Sequence, residues 1–179
     1  MAANGRVEIR LAGSGGQGIV LAGVILAEAA ILAGKNAAQS QAYGPESRGG
    51  HARADVVIAD GEIGFPQAQR LDVLLALTRE ACERFAADLK PDGLLVVDAK
   101  AVPEPPAGEW RCRSLPIAET AEQAGSLLTA NVVALGAIAE LTGVVDAETL
   151  ERAVAARVPR QRELNLRALE AGRRLVQTA

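Results

Sequence analysis

Gly13-Ser14-Gly15-Gly16-Gln17-Gly18 stands between an apolar strand-like run, Val7 to Ala12, and an apolar helical run from Ile19 to about Ala33. Strand, glycine-rich turn, helix is the opening of a βα unit of dinucleotide-binding type. Gly13, Gly15 and Gly18 hold the G-x-G-x-x-G spacing in the required context. The first glycine permits a tight turn, the second lets backbone approach a ligand, and the third lets helix and strand pack closely. The first N–H groups of the helix have no internal partner, so they favour an anion at the turn. Ser14, Gly16 and Gln17 complete the candidate binding turn, with Gln17 a polar anchor that points into the same crevice.

An NAD site of this type also needs an acid about 20 residues on, at the end of the second strand, to hold the ribose hydroxyls. That region reads Ala37-Ala38-Gln39-Ser40-Gln41, with neither an acid nor an arginine that would replace one for a phosphorylated ribose. Simple NAD binding is therefore disfavoured.

The rest of the chain alternates in the same way. Asn36 to Ala42 reads as a second strand and Ala54 to Ala59 as a third. Asp60-Gly61 signals a hairpin, which predicts that Glu62 to Phe65 folds back as a short antiparallel partner. Leu71 to Leu77 is nearly continuous apolar sequence, as a central parallel strand requires. Thr78 caps a helix from Arg79 to Leu89, Pro91-Asp92-Gly93 turns, and Leu94 to Ala99 is another buried strand. Glu109 to Leu115 reads as an edge strand. Helices follow over Ile117 to Ala124, Asn131 to Leu141, Ala147 to Arg157 and Gln161 to Val176. The expectation is one α/β domain over residues 1–179: a Rossmann-like, doubly wound, mainly parallel sheet within 1–115, then C-terminal helices within 116–179.

Composition narrows the function. With 19 basic and 22 acidic residues and 2% aromatics, the chain lacks the basic surface and stacking platforms of a nucleic-acid binder. Two distant cysteines and one histidine make no ordinary zinc or Fe–S site, and fit a reduced, cytoplasmic setting. No signal peptide opens the chain. The most apolar run, Gly18 to Gly34, carries Glu28 and reads as a buried helix, not a membrane span.

The second candidate site is the stretch Tyr43-Gly44-Pro45-Glu46-Ser47-Arg48-Gly49-Gly50-His51-Ala52-Arg53. Three glycines and a proline make it a loop. Gly49-Gly50 can expose successive N–H groups, and Arg48 and Arg53 bring two fixed cations, so phosphate recognition competes with simple pairing to acids. His51 has no nucleophile or carboxylate placed beside it and reads as a surface residue, while Asp55 and Asp72 flank strands and read as solvated groups. Glu80 and Glu83 oppose a thiolate at Cys82. No catalytic residue and no metal ligand set emerges; the chain reads as a cofactor fold without reaction machinery of its own. A free-standing flavin- or NAD(P)-binding reductase and a scaffold with an empty crevice stay open beside a docking or ligand-binding subunit.

Gly13 to Gly18 followed by Ala27-Glu28-Ala29, and Gln41-Ala42-Tyr43-Gly44-Pro45-Glu46-Ser47-Arg48-Gly49-Gly50, resemble the gamma subunit or gamma domain of the 2-oxoacid:ferredoxin oxidoreductases. Asp72-Val73-Leu74-Leu75-Ala76-Leu77 and the late helix with Asn165 continue the pattern. The Tyr-Gly-Pro-Glu-Ser-Arg-Gly-Gly form is similar to the 2-oxoglutarate branch more than to the pyruvate branch. The resemblance implies a complex that decarboxylates a 2-oxoacid, reduces ferredoxin and transfers the acyl group to coenzyme A. It places thiamine diphosphate, magnesium and the Fe–S clusters on alpha, beta and ferredoxin-like delta subunits. It further implies that the gamma part packs on the alpha subunit near the coenzyme A entrance, which makes the glycine turn and the Arg48/Arg53 loop natural places for coenzyme A phosphates or subunit contacts.

Overall fold

The computed structural model describes residues 5–43 and 50–177, with Tyr43 as backbone only. Six strands form one sheet: β1 (Arg6–Ser14), β2 (Asn36–Tyr43), β3 (His51–Ala59), β4 (Leu71–Ala76), β5 (Leu89–Asp98) and β6 (Arg111–Leu115). Their order across the sheet is β2-β3-β1-β4-β5-β6. The pairs β1–β4, β4–β5 and β5–β6 are parallel, while β3 runs antiparallel to both β1 and β2. The mainly parallel, doubly wound α/β expectation holds, with one reversed strand inside it.

The helices are α1 (Ile19–Leu32), α2 (Arg79–Phe85), α3 (Ile117–Ala124), α4 (Ala130–Thr142), α5 (Ala147–Arg157) and α6 (Arg162–Gln177). One sheet face, with Ile9, Leu11, Val56, Ile58, Leu75 and Val96, shares a core with α1 and the C-terminal helices. The other face, with Ala12, Leu74, Ala76, Leu95 and Val97, packs on Ala81, Cys82 and Phe85 of α2. Strands buried on both sides must be largely apolar at successive positions, which is why β4 reads as a nearly continuous run; β1 instead buries Glu8 and Arg10, each paired. Helix α4 is buried from Asn131 to Ala139 because it lies between the sheet-facing layer and α6. A Cβ at Gly172 would sit 1.9 Å from the Val133 carbonyl oxygen, and one at Gly136 2.2 Å from that of Leu169, so the two backbones touch directly. Thr78 caps α2 through the Ala81 N–H, and Asp146 caps α5 through that of Thr149.

Four local readings change. No strand forms over Glu62 to Phe65: both edges of β3 are already paired, so a returning strand has nothing to join. That segment is instead tied to β1 by side chains, with Arg6 donating to the Phe65 carbonyl and the Glu8 carboxylate taking the Gln69 and Arg70 N–H groups. Strand β3 begins at His51, not Ala54, because its first residues complete the ladder with β1. Helix α2 stops at Phe85, a 3-10 turn covers Ala86–Asp88, and Leu89 already belongs to β5. Pro91-Asp92-Gly93 survives as an irregularity in β5, with Asp92 at φ 62°.

Candidate functional site

Strand β1 leads through α1 to one side of the sheet, while its parallel neighbour β4 leads through α2 to the other. At such a switch point the carboxyl ends of the strands open a crevice. Here it is about 370 Å³, with Gly16 and Gln17 at one end and Leu77, Ile117, Ala118 and Leu127 among its walls. Lys100 and Glu122 stand at the crevice as exposed charges. The volume lies within the ordinary range of small-molecule sites, roughly 300–1,000 Å³.

The glycine turn is held from three directions. Gly15 donates its N–H to the Gly50 carbonyl at 2.8 Å. Ser14 donates its N–H to Gln17 Oε1 at 2.7 Å. Asn131, buried at the start of α4, donates Nδ2 to the Gly18 carbonyl at 3.0 Å. Gly18 is left-handed, at φ 70°, and a Cβ there would press on Asn131 Nδ2 at 2.5 Å, so glycine serves both the backbone and the Asn131 contact. No side chain caps α1, which leaves its first amides to the turn.

Asp98, at the carboxyl end of β5, is buried and accepts from the N–H groups of Ala101 at 2.9 Å and Ala118 at 2.8 Å. It therefore caps the first turn of α3 from a neighbouring strand and holds the crevice wall in place.

Two candidate stretches that lie far apart in sequence come together: Ser14 pairs with His51, and Gly15 bonds Gly50. Gly13 is buried under the Gln17 carboxamide, and Gly16 and Gln17 face the crevice. Gly44, Pro45, Glu46, Ser47, Arg48 and Gly49 lie outside the described residues. Tyr43 pairs through its backbone with Ala52. Arg53 sits on the opposite sheet face, its Nε 3.7 Å from Asp55 and its guanidinium 5.7 Å from the centre of the Phe85 ring.

Asp55 is not the solvated group expected. Its side chain is 1% exposed and takes Arg10 Nε at 2.7 Å and Nη2 at 3.1 Å. Arg10 also reaches Asp88 and the Ala68 carbonyl and lies over Phe85, so one guanidinium ties β1 to three other segments. Burial works against the charge on Arg10, but the bonds to Asp55 and the two nearby carboxylates raise its pKa above the ordinary value. Asp72 likewise takes the Glu8 N–H and Lys90 Nζ. Cys82 is a fully buried core residue, and that burial pushes its thiol up to about 11.

Sequence reasoning missed Asp98, Lys100, Ala118, Asn131 and the Leu127-Leu128 wall. Asp98 carried a usable signal, an acid at the end of a buried parallel strand. Asn131 carried a weaker one, an amide opening an apolar helix. Among the described residues no group of three or more His, Cys, Asp or Glu is arranged to hold a metal, and no helix is long and apolar enough to cross a membrane.

Residues 8–175 match the family model for pyruvate ferredoxin/flavodoxin oxidoreductase. The chain is 44% identical to 2-oxoglutarate synthase subunit KorC of Methanothermobacter thermautotrophicus, over 96% of this chain and 95% of that one. It superposes on a keto/oxoacid ferredoxin oxidoreductase gamma subunit from Geobacter sulfurreducens with TM-score 0.87 and 48% identity, covering 97% of this chain and 99% of that chain. The 2-oxoglutarate:ferredoxin oxidoreductase of Magnetococcus marinus, solved with 2-oxoglutarate, coenzyme A and succinyl-CoA, is similar at TM-score 0.89 and 27% identity, over 98% of this chain and 32% of that longer one. The chain therefore belongs to the pyruvate ferredoxin/flavodoxin oxidoreductase family, as a gamma-type subunit of a 2-oxoacid:ferredoxin oxidoreductase.

Proposed function

We propose that this subunit serves, in the cytoplasm, a complex that oxidatively decarboxylates 2-oxoglutarate, transfers the succinyl group to coenzyme A and reduces ferredoxin. The substrate reading rests on near-full-length similarity to 2-oxoglutarate synthase subunits. Thiamine diphosphate, magnesium and Fe–S clusters belong in this reading to alpha, beta and ferredoxin-like delta partners. The gamma chain's own contribution is the switch-point crevice, where part of coenzyme A docks. The glycine turn forms one end of that crevice, and Gly50 backs the turn through the Gly15 N–H.

One observation carries this assignment: the turn and the end of the second candidate stretch meet at Gly15 and Gly50, beside a mostly apolar crevice with one exposed lysine. A crevice of this size holds only part of coenzyme A, and the remainder then meets a partner subunit. Ala118→Trp fills the crevice without altering the turn. In the intact complex it should weaken binding of desulfo-coenzyme A, which lacks the reactive thiol, by about tenfold or more, the worth of roughly 1.4 kcal/mol. Unchanged affinity in an intact complex rejects the crevice as the site. A panel of 2-oxoacids compared by kcat/KM tests the substrate; pyruvate preferred over 2-oxoglutarate rejects that part.

A further inference from the structure

We infer that Gln17 is the group through which the glycine turn grips its ligand, acting as a neutral donor to an acceptor oxygen. The inference rests on the crevice being the ligand site. A bare glycine turn offers its backbone N–H groups directly, but here three are engaged inside the protein, that of Gln17 with the Ser14 carbonyl at 3.3 Å. The Ser14 N–H meets Gln17 Oε1 at 2.7 Å and the Gly15 N–H meets the Gly50 carbonyl at 2.8 Å. These amides are therefore closed to a ligand, whereas the first amides of α1 stay uncapped.

The same contact orients the Gln17 carboxamide. Its oxygen must be the atom facing Ser14, because Nε2 there would set donor against donor. Nε2 consequently points away from the turn with two hydrogens, and among the described residues no acceptor meets it. Gln17 lines the crevice, so that is where these hydrogens are available. Gly13 makes the arrangement possible: a Cβ there would lie 2.3 Å from Gln17 Oε1 and evict the carboxamide. The first glycine of the motif thus seats a side chain of the chain itself, and Gln17 relays the Ser14 donor outward. An uncharged donor suits either a phosphate oxygen or an amide carbonyl of the ligand.

The conservative variant Gln17→Glu separates gripping from mere support. Its carboxylate still accepts the Ser14 N–H, so the turn persists, but it offers oxygen where Nε2 offered hydrogen. In the intact complex, Gln17→Glu is expected to keep the thermal midpoint and weaken desulfo-coenzyme A binding about tenfold or more. Wild-type-like affinity in Gln17→Glu, with stability and affinity both lost in Gln17→Ala, overturns the inference in favour of a supporting role. Unchanged binding in Gln17→Glu alongside weakened binding in Ala118→Trp refutes the donor and spares the crevice. Unchanged binding in both refutes both. Competition by adenosine 3′,5′-bisphosphate and by pantetheine identifies the oxygen: the fragment whose affinity falls in Gln17→Glu carries it, and insensitivity of both counts against the donor.

Discussion

Replacing Arg10 by methionine removes the guanidinium that fastens β1 to β3 and leaves Asp55 charged in the interior. The side chains of Arg10 and Asp55 are 5% and 1% exposed, so solvent screens neither. The residual cation for Asp55 is Arg53 at 3.7 Å, one third exposed and without the paired geometry. Breaking a buried ion pair from one side costs about 3–5 kcal/mol, and Arg10→Met belongs in that range. Asp55→Leu falls at its lower end, because Asp88 and the Ala68 carbonyl still receive the guanidinium. Replacing both leaves an apolar pair with no stranded charge, so the double variant should lie about 2 kcal/mol or more above the sum of the singles. Urea unfolding of the purified chain, followed by circular dichroism, measures all three, with a constant slope marking intact two-state behaviour. An Arg10→Met cost below about 1 kcal/mol, or strict additivity in the double variant, refutes the clamp.

Other outcomes follow from features outside the crevice. At Glu8 burial opposes the charge, but the Gln69 and Arg70 N–H groups and Arg6 outweigh it and hold the pKa below its ordinary value. The stabilisation is therefore present above the ordinary carboxyl range and lost as pH falls through the folded value. Glu8→Gln should lower the urea midpoint at neutral pH and converge on wild type in acid; a gap independent of pH sinks the account. Gly172→Ala drives a methyl into the Val133 carbonyl and should destabilise by about 1–3 kcal/mol, whereas an unchanged midpoint shows that α4 and α6 yield freely. In thiol labelling, exposed Cys112 should react before Cys82, which is buried, raised to about 11 and reachable only on unfolding. Equal rates in the folded chain contradict that order.

The sequence pattern carried the element order because burial on two faces leaves a mark inside each element. Nearly continuous apolar runs at Leu71 to Leu77 and Leu94 to Ala99 mean the same thing in almost any context. Strand direction leaves no such mark: Ala54 to Ala59 reads alike whether it runs with β1 or against it. The glycine turn was legible because its meaning is local. The crevice was not, since Asp98 and the Leu127 wall gain their role only after folding. Asn131 reaches the Gly18 carbonyl across 113 residues, and Arg10 meets Asp55 across 45. A charged residue on an apparent strand flank could not announce its burial until its partner was known.

The reversal of β3 has a consequence for how the end of the sheet at Tyr43 and Ala52 can vary. Tyr43 and Ala52 are facing rungs of one ladder, so the connection between them departs and returns at the same border of the sheet. Lengthening or trimming that connection leaves every rung where it is. The passage from β5 to β6 has no such freedom, because parallel neighbours must be joined across the full length of a strand. Relatives can therefore diversify this border by altering connector length while keeping one unchanged sheet beneath it.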